Sequence, residues 1–233
     1  MPDPLPTVLI PGLTCSARLY AEQIPALWRF GPVTVADHTR DDSMAAIARR
    51  ILAAAPPRFA LAGLSMGGYI AFEIMRQSPD RVAKLALLDT GARAEAPEQT
   101  ERRKVVIALA KSGRYAEVPD IAFPLYVHRN RHHDTALKET VRMMAAETGV
   151  EAFLRQQQAI ISRPDSRPGL GAIKCPTLVL VGDGDEATPP ELAREIAGAI
   201  GGARLVVVAE CGHLSSLEQP DKVTAALAEW MAW

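Results

Sequence analysis

The stretch Phe59-Ala-Leu-Ala-Gly-Leu-Ser-Met-Gly-Gly68 decides the fold of this chain. Its first residues, Phe59–Ala62, form an apolar run that predicts a buried strand, and the segment Ser65–Gln77 repeats apolar side chains at helical spacing. The glycines around the serine allow the backbones of strand and helix to approach each other closely. We therefore expect a strand–turn–helix unit that holds Ser65 in a tight turn and exposes its hydroxyl above the end of a sheet.

The rest of the chain repeats this alternation of strand and helix. Short runs rich in Val, Leu and Ile predict strands at Thr7–Ile10, Val33–Ala36, Phe59–Ala62, Lys84–Leu88, Thr177–Val181 and Arg204–Val208. Helical spacing is found at Ala17–Trp28, Ser43–Ala54, Ser65–Gln77, Pro190–Ile200 and Pro220–Trp230. This pattern predicts the α/β class, with a doubly wound, mostly parallel six-stranded sheet that is covered by helices on both faces.

The alternation is interrupted between residues 95 and 168. Helical spacing continues there through Glu98–Lys111, Arg114–Tyr126, Asp134–Glu147 and Val150–Ser162, without a strand pattern between them. A connection between two parallel strands does not need about 70 residues of helix. We therefore expect an α/β core formed by residues 1–94 and 169–233, and a helical cap formed by residues 95–168 that acts as a lid.

Composition and charge exclude several classes of function. The 233 residues carry 26 Lys and Arg against 27 Asp and Glu, a net charge of −1, so no overall field attracts nucleic acid or an anionic membrane. The sequence has neither a secretory signal pattern nor an apolar run near the roughly 20 residues of a membrane span, which predicts a cytoplasmic protein. Cys15, Cys175 and Cys211 lack metal-type spacing and are expected to be free thiols, with no metal site.

A serine in such a turn indicates nucleophilic catalysis, which requires a base and a carboxylate that orients it. His213 follows the last predicted strand and precedes the last helix, so its imidazole is expected to reach Ser65. The N–H of Met66, at the start of a helix, is expected to stabilise an oxyanion. The other histidines are interpreted as surface groups: His38, His128, His132 and His133.

Several acids compete for the role of the carboxylate. The loop after Thr177–Val181 contains Asp183 at the strand end, Asp185 two residues further, and Glu186. Asp89, at the end of the preceding strand, is a fourth candidate. Spacing alone does not choose among them, because the chain order Ser, Asp, His holds for either loop.

These motifs resemble those of the α/β-hydrolase superfamily over nearly the whole chain. The similar segments are Val8–Leu13, Gly63–Gly68, Cys175–Gly182, Thr188–Pro190 and Cys211–His213. In that family the catalytic acid follows a strand-end glycine by three residues, which corresponds to Gly182 and Asp185. The resemblance therefore implies Ser65, Asp185 and His213 as the catalytic residues, and it adds the backbone N–H of Leu13 to that of Met66 in the oxyanion hole.

The chain differs from the family pattern at two places. Relatives usually have His-Gly where this sequence has Pro11-Gly12, so a histidine that commonly braces the oxyanion loop is absent. The first predicted strand corresponds to the third strand of the family, so the N-terminal edge strands are expected to be missing. The helical cap resembles that of the carboxylesterase, enol-lactonase and carbon–carbon hydrolase branches.

The expected activity is that of a serine esterase. The resemblance implies cleavage of a small carboxylic ester, lactone or thioester through an acyl-enzyme, with a small-molecule substrate and neither metal nor organic cofactor. The alternatives are a carbon–carbon bond hydrolase of the same fold and a catalytically silent protein that binds a small ligand. Apolar cap residues are expected to line the pocket: Leu109, Ile121, Phe123, Leu125, Met144, Phe153 and Leu154.

Overall fold

A computed structural model describes residues 4–233 of the chain. In this part, six strands form one sheet in the order β2-β1-β3-β4-β5-β6, and every neighbouring pair is parallel. The strands are β1 Thr7–Ile10, β2 Val33–Val35, β3 Phe59–Leu64, β4 Val82–Leu88, β5 Thr177–Gly182 and β6 Arg204–Val208. The chain winds outward in both directions from β1, so the predicted doubly wound α/β fold is confirmed.

Helices cover the sheet, and two of them begin at capping side chains. They are α1 Ile24–Leu27, α2 Met44–Ala54, α3 Met66–Gln77, α4 Pro97–Leu109, α5 Val118–Tyr126, α6 Thr135–Thr148, α7 Val150–Ile161, α8 Pro190–Ala199, α9 Ser215–Glu218 and α10 Pro220–Ala232. Ser43 caps α2 and Asp134 caps α6 through side-chain oxygens that accept backbone N–H groups. Within residues 4–233, no helix combines the length and apolarity that crossing a bilayer requires.

One predicted helix is broken in the structure, and the ends of two others differ from the prediction. Instead of one helix over Ala17–Trp28, a 3₁₀ turn at Ala17–Tyr20 precedes α1, because Pro25 lacks an N–H and is best tolerated in the first turn of a helix, which is where it lies in α1. In the insertion, α4 and α5 are separated by a π-helical turn at Ala110–Arg114 and a 3₁₀ turn at Tyr115–Glu117. Gly113, in the first of these turns, has a left-handed φ of 85°. The predicted helix ends at Lys111 and Arg114 are therefore wrong by a few residues.

The sheet separates two hydrophobic layers. Side chains of β3 alternate between them: Phe59 and Leu61 face the layer that contains α2, α3 and α8, whereas Leu64 faces the layer of α1 and α10. All six residues of β3 are buried, as expected for a central strand of a parallel sheet with helices on both faces. The central strands of the sheet are therefore buried on both faces.

Helices α4–α7 lie between β4 and β5 in sequence. Residues 89–176, all of which the structure describes, contain no strand. Phe153 and Ile160 of α7 belong to the same hydrophobic layer as core residues of α3. The division into a core and a cap of residues 95–168 stays a prediction about domains, because the insertion and the sheet share this layer.

A substitution at Gly67 tests the close approach of α3 to β1. A Cβ at Gly67 would lie 2.1 Å from the carbonyl oxygen of Ile10, a backbone atom that cannot move away on its own. We expect Gly67→Ala to lower the free energy of unfolding by about 1–3 kcal/mol. Gly198 of α8 has open space at the same position, so Gly198→Ala should raise that free energy by about 0.5–1 kcal/mol. Urea unfolding measures both, and equal effects would contradict the close approach.

Candidate active site

Ser65 occupies a strained turn between β3 and α3. Its φ of 55° and ψ of −114° lie in a region that residues other than glycine rarely adopt. Two hydrogen bonds hold the turn: the Ser65 N–H donates to the carbonyl of Leu88 at 2.9 Å, and the Thr90 hydroxyl donates to the carbonyl of Ser65 at 2.8 Å. The side chain is thereby presented at the carboxyl end of the sheet.

Three predicted residues form a continuous row of hydrogen bonds. The Oγ of Ser65 lies 2.8 Å from Nε2 of His213, and Nδ1 of His213 lies 2.8 Å from Oδ2 of Asp185. Because the carboxylate can only accept, Nδ1 carries the proton and Nε2 is free to accept the serine proton. His213 and Asp185 are 4% and 3% exposed, which protects this row from competing water.

The loop after β5 holds the Asp185 carboxylate in place. Its Oδ1 accepts the N–H groups of Ala187 at 2.9 Å and Thr188 at 2.8 Å, and its Oδ2 accepts the Thr188 hydroxyl at 2.7 Å. Neither the ring of His213 nor the carboxylate can rotate without breaking several of these bonds. The arrangement fixes the imidazole relative to Ser65.

The competing acids lie elsewhere. Asp183 is exposed and accepts the N–H of Cys211 at 3.2 Å. Asp89 is buried, and its carboxylate contacts the N–H of Gly182 at 3.1 Å and the hydroxyl of Ser215 at 2.5 Å. Among the four acids that spacing left open, the structure therefore places Asp185 against His213.

The electrostatic surroundings of His213 favour its protonated form. Burial disfavours a charged imidazole, but the charge of Asp185 and the hydrogen bond to it outweigh this effect, with a further contribution from Asp89. The pKa of His213 is consequently raised above the ordinary value of histidine. The same burial, together with the nearby charge of Asp185, raises the pKa of Asp89 well above its usual range.

Two backbone N–H groups flank Ser65. Met66 is the first residue of α3, and Leu13 belongs to the loop after β1. A Cβ at Gly12 would lie 3.5 Å from Cβ of Ser65, so this loop packs directly against the turn. Among the described residues, neither N–H has a hydrogen-bond acceptor. Both are available to an anionic oxygen beside Ser65.

His38 was missed as a member of this site. It is 2% exposed, not a surface group, and its Nε2 lies 2.9 Å from the carbonyl oxygen of Gly12. Since a carbonyl only accepts, His38 donates this bond. The Gly12 carbonyl and the Leu13 N–H belong to one planar trans peptide and point in opposite directions, so the bond also orients the Leu13 N–H. The adjacency of β1 and β2 in the sheet explains why the loops after these strands meet.

The other histidines differ from one another. His128 is 9% exposed, so its assignment to the surface is also wrong, and its backbone N–H donates to the carboxylate of Glu218 at 2.7 Å. His132 and His133 are exposed, as expected.

A cavity of about 400 Å³ opens beside Ser65 and His213. Its walls combine loops of the sheet with side chains of α4, α5, α6 and α7. Of the apolar cap residues expected there, Ile121, Leu125 and Phe153 line the cavity. Phe123 and Met144 instead pack into the protein interior, because their helix positions face the core. The volume suits a small ligand.

The described residues include no disulfide. Cys15 and Cys211 are buried and Cys175 is half-buried, all as free thiols. Burial raises the pKa of the Cys15 thiol to about 12, so the thiol is protonated and unreactive at neutral pH. Within residues 4–233, no three His, Cys, Asp or Glu side chains are grouped as a metal site would require.

Two of the buried histidines, His38 and His213, are expected to have pKa values shifted in opposite directions. Burial lowers the pKa of His38, with the bond to Gly12 as a smaller opposing effect, whereas the pKa of His213 is raised by Asp185. On acidification, His213 should gain its proton above the ordinary pH of about 6.5 and His38 only below it. Imidazole NMR titration, assigned with His38→Gln and His213→Gln, measures both values. The reverse order would contradict the described environments.

Comparison with known proteins gives consistent matches. The family described as "Alpha/beta hydrolase family" matches residues 7–227. The 2-hydroxy-6-oxononadienedioate/2-hydroxy-6-oxononatrienedioate hydrolase of Klebsiella pneumoniae is 28% identical over 178 residues, which cover 74% of this chain and 62% of that relative. The pimeloyl-[acyl-carrier protein] methyl ester esterase of Neisseria meningitidis is 25% identical, over 99% of this chain and 95% of the relative.

A solved structure extends the similarity to three dimensions. The thermophilic esterase from Thermogutta terrifontis superposes with a TM-score of 0.88 at 31% identity, covering 98% of this chain and 89% of the esterase. The similarity therefore includes the sheet, the turn at Ser65 and the helices between β4 and β5.

Proposed function

Since the chain belongs to the α/β-hydrolase family, we propose that it is a serine hydrolase that cleaves small carboxylic esters, lactones or thioesters. The observation that carries this proposal is the row of hydrogen bonds from Ser65 through His213 to Asp185, at the wall of a cavity large enough for a small substrate. The similarity to an esterase over nearly the whole chain supports it.

In the first half of the proposed reaction, Oγ of Ser65 attacks the carbonyl carbon and its proton passes to Nε2 of His213. Asp185 orients the imidazole and stabilises the imidazolium that forms. The N–H groups of Leu13 and Met66 donate to the carbonyl oxygen as it becomes an oxyanion. Collapse of the tetrahedral intermediate breaks the bond to the leaving alcohol or thiol, which receives the proton from His213.

In the second half, water replaces the alcohol. It attacks the acyl carbon of the Ser65 ester while His213 takes its proton, and the second tetrahedral intermediate expels Oγ of Ser65 as that proton returns to it. The carboxylic acid then leaves. This cycle needs neither a metal nor an organic cofactor. The helices of residues 95–168 serve as the lid over the acyl pocket, and the protein acts on a small molecule in the cytoplasm.

A carbon–carbon bond hydrolase is the second candidate. The relative in Klebsiella pneumoniae, a hydrolase named for dienedioate substrates, favours it. Spectrophotometric assays with p-nitrophenyl acetate and with a vinylogous 1,5-diketone distinguish the two reactions by the product released.

A protein that only binds its ligand is the third possibility. It is tested with a fluorophosphonate probe, because an activated serine reacts quickly with it and an ordinary serine does not. Rapid labelling of Ser65, located by peptide mass spectrometry, supports the proposed function. Absence of labelling in the folded protein would overturn it.

Removing Ser65 or His213 should have nearly the same effect as removing both. We expect Ser65→Ala and His213→Ala each to lower kcat for p-nitrophenyl acetate by about 10⁴-fold or more, and the double variant to be little worse, because the pair acts as a unit. Ser112→Ala and His132→Ala make the same changes at exposed positions and are the controls. Losses that multiply in the double variant would contradict a shared role.

The two aspartates of the β5 loop provide a matched comparison. Asp185→Asn is expected to lower kcat by about 10²- to 10⁴-fold, because an amide can hold the wrong imidazole tautomer. Asp183→Asn makes the same change two residues away, at an exposed side chain, and should cost far less. Kinetics with p-nitrophenyl acetate, after circular dichroism has shown both variants to be folded, decide between them. A larger loss for Asp183→Asn would reject the assignment of the orienting acid.

A further inference from the structure

One wall of the cavity carries polar side chains that present hydrogen-bond donors. Arg102 and Arg103 of α4 line the same cavity as Ser65, together with Gln157 of α7. The remaining lining of α4–α7 is mostly apolar, so these groups are conspicuous by their chemistry. The hydrogen bonds that these groups already make show which of their donors remain free for a ligand.

Arg103 has unused donors. Its Nε donates to Glu95 at 2.5 Å and its Nη1 donates to Oε1 of Gln157 at 3.0 Å. A guanidinium has five N–H groups, and among the described residues Nη2 has no partner. Only 22% of the Arg103 side chain is exposed, so its free donors are partly shielded from bulk water.

Gln157 presents a buried donor beside it. The residue is 2% exposed. Because Arg103 can only donate, the Gln157 atom that it contacts must be the amide oxygen, which leaves the amide N–H groups for the cavity. Within residues 4–233 these N–H groups have no acceptor. Because Gln157 lines the cavity, these N–H groups can donate to a ligand that supplies an acceptor.

The charge of this wall is also unbalanced. The Glu95 carboxylate, 1% exposed, pairs with both Arg103 and Arg163, so two guanidiniums share one carboxylate and one positive charge is left over. Arg102 is exposed, and no ion pair of the described residues includes it. Glu186, the acidic residue in the described lining, is exposed and lies next to Asp185 in the loop on the catalytic side.

The positive charge of Arg103 also acts on Tyr126, which lies beside His213. Burial raises the pKa of the Tyr126 phenol, and the charge of Arg103 opposes this rise. The ring centroid of Tyr126 lies 5.4 Å from that of His213. The donor wall and the catalytic row therefore face one substrate-sized space.

We propose that this wall is a carboxylate subsite, formed by Arg103 and Gln157 with Arg102 at its exposed edge. It selects ester substrates that carry a carboxylate group at some distance from the scissile carbonyl. The inference rests on the proposed esterase function and deepens it by naming the substrate class. A planar carboxylate matches the surplus positive charge of this wall and the forked donors of arginine.

Hemiesters of dicarboxylic acids test this subsite. Monomethyl succinate, glutarate and adipate differ from their dimethyl diesters by one negative charge at matched length, and methanol release at pH 8 measures kcat/KM for each. We expect the best hemiester to exceed its diester by about tenfold or more, with the gain mainly in KM. Equal values at all three lengths, or a preference for the diesters, would overturn the proposal.

Variants of the cavity wall test whether these residues cause the preference for hemiesters. Gln157→Glu replaces the amide donor by a carboxylate of the same size that pairs with Arg103, and it should lower the hemiester-to-diester ratio by about tenfold or more. Arg102→Gln should lower this ratio several-fold. Lys104→Gln removes one positive charge from the same helix at an exposed residue outside the cavity, and should leave the ratio unchanged. An unaltered ratio in both Gln157→Glu and Arg102→Gln would reject the subsite, even if one variant folds poorly.

The proposed function and the subsite fail in different ways. If the enzyme hydrolyses diesters without preferring hemiesters, only the subsite is rejected. If Ser65 does not react with a fluorophosphonate and no ester is cleaved, the esterase proposal is rejected. If Ser65 is labelled but these esters are not cleaved, protection against labelling by free glutarate decides: weaker protection in Gln157→Glu than in the wild type supports the subsite, and equal protection overturns it.

Discussion

The close backbone contact among β1, β3 and α3 is the constraint on which the site depends. A Cβ at Gly63 would lie 2.3 Å from the carbonyl oxygen of Gly67, and one at Gly67 would lie 2.1 Å from that of Ile10. Only glycine allows the three backbones to approach to this distance, and the approach forces Ser65 into its strained turn. The same contact brings the end of β1, with the loop of Gly12, against Ser65. The position of the hydroxyl and that of its neighbouring N–H groups therefore have a common cause.

Parallel strand direction explains the rest of the row. The carboxyl ends of β3, β5 and β6 lie at one edge of the sheet, so the loops that follow them meet although Ser65 and His213 are 148 residues apart. Burial at this edge makes each charge more influential than it would be in water. That is why Asp185 raises the pKa of His213 despite the opposing effect of desolvation.

The inserted helices contribute to the geometry of the site as well as to its walls. The carbonyl of Tyr126, at the end of α5, accepts the N–H groups of His213 at 3.0 Å and Leu214 at 3.1 Å. The carboxylate of Glu218 accepts the N–H groups of His128 and Gly212. The loop of His213 is thus bonded directly to the insertion, and a displacement of α5 would also displace the imidazole. The helices that supply the donor wall and the loop that carries His213 form one hydrogen-bonded assembly.

The sequence by itself determined the strand order in the chain, the turn at Ser65 and the position of His213 after the last strand, because these depend on local periodicity and on the steric needs of glycine. It did not decide which of four acids, Asp89, Asp183, Asp185 and Glu186, contacts His213. The resemblance to a family was needed to favour Asp185. Only the tertiary structure decided that His38 is buried against Gly12 and that one wall of the cavity carries unpaired donors. Side-chain direction and burial depend on which loops become neighbours, and residues far apart in the chain acquire those distances only when the sheet forms.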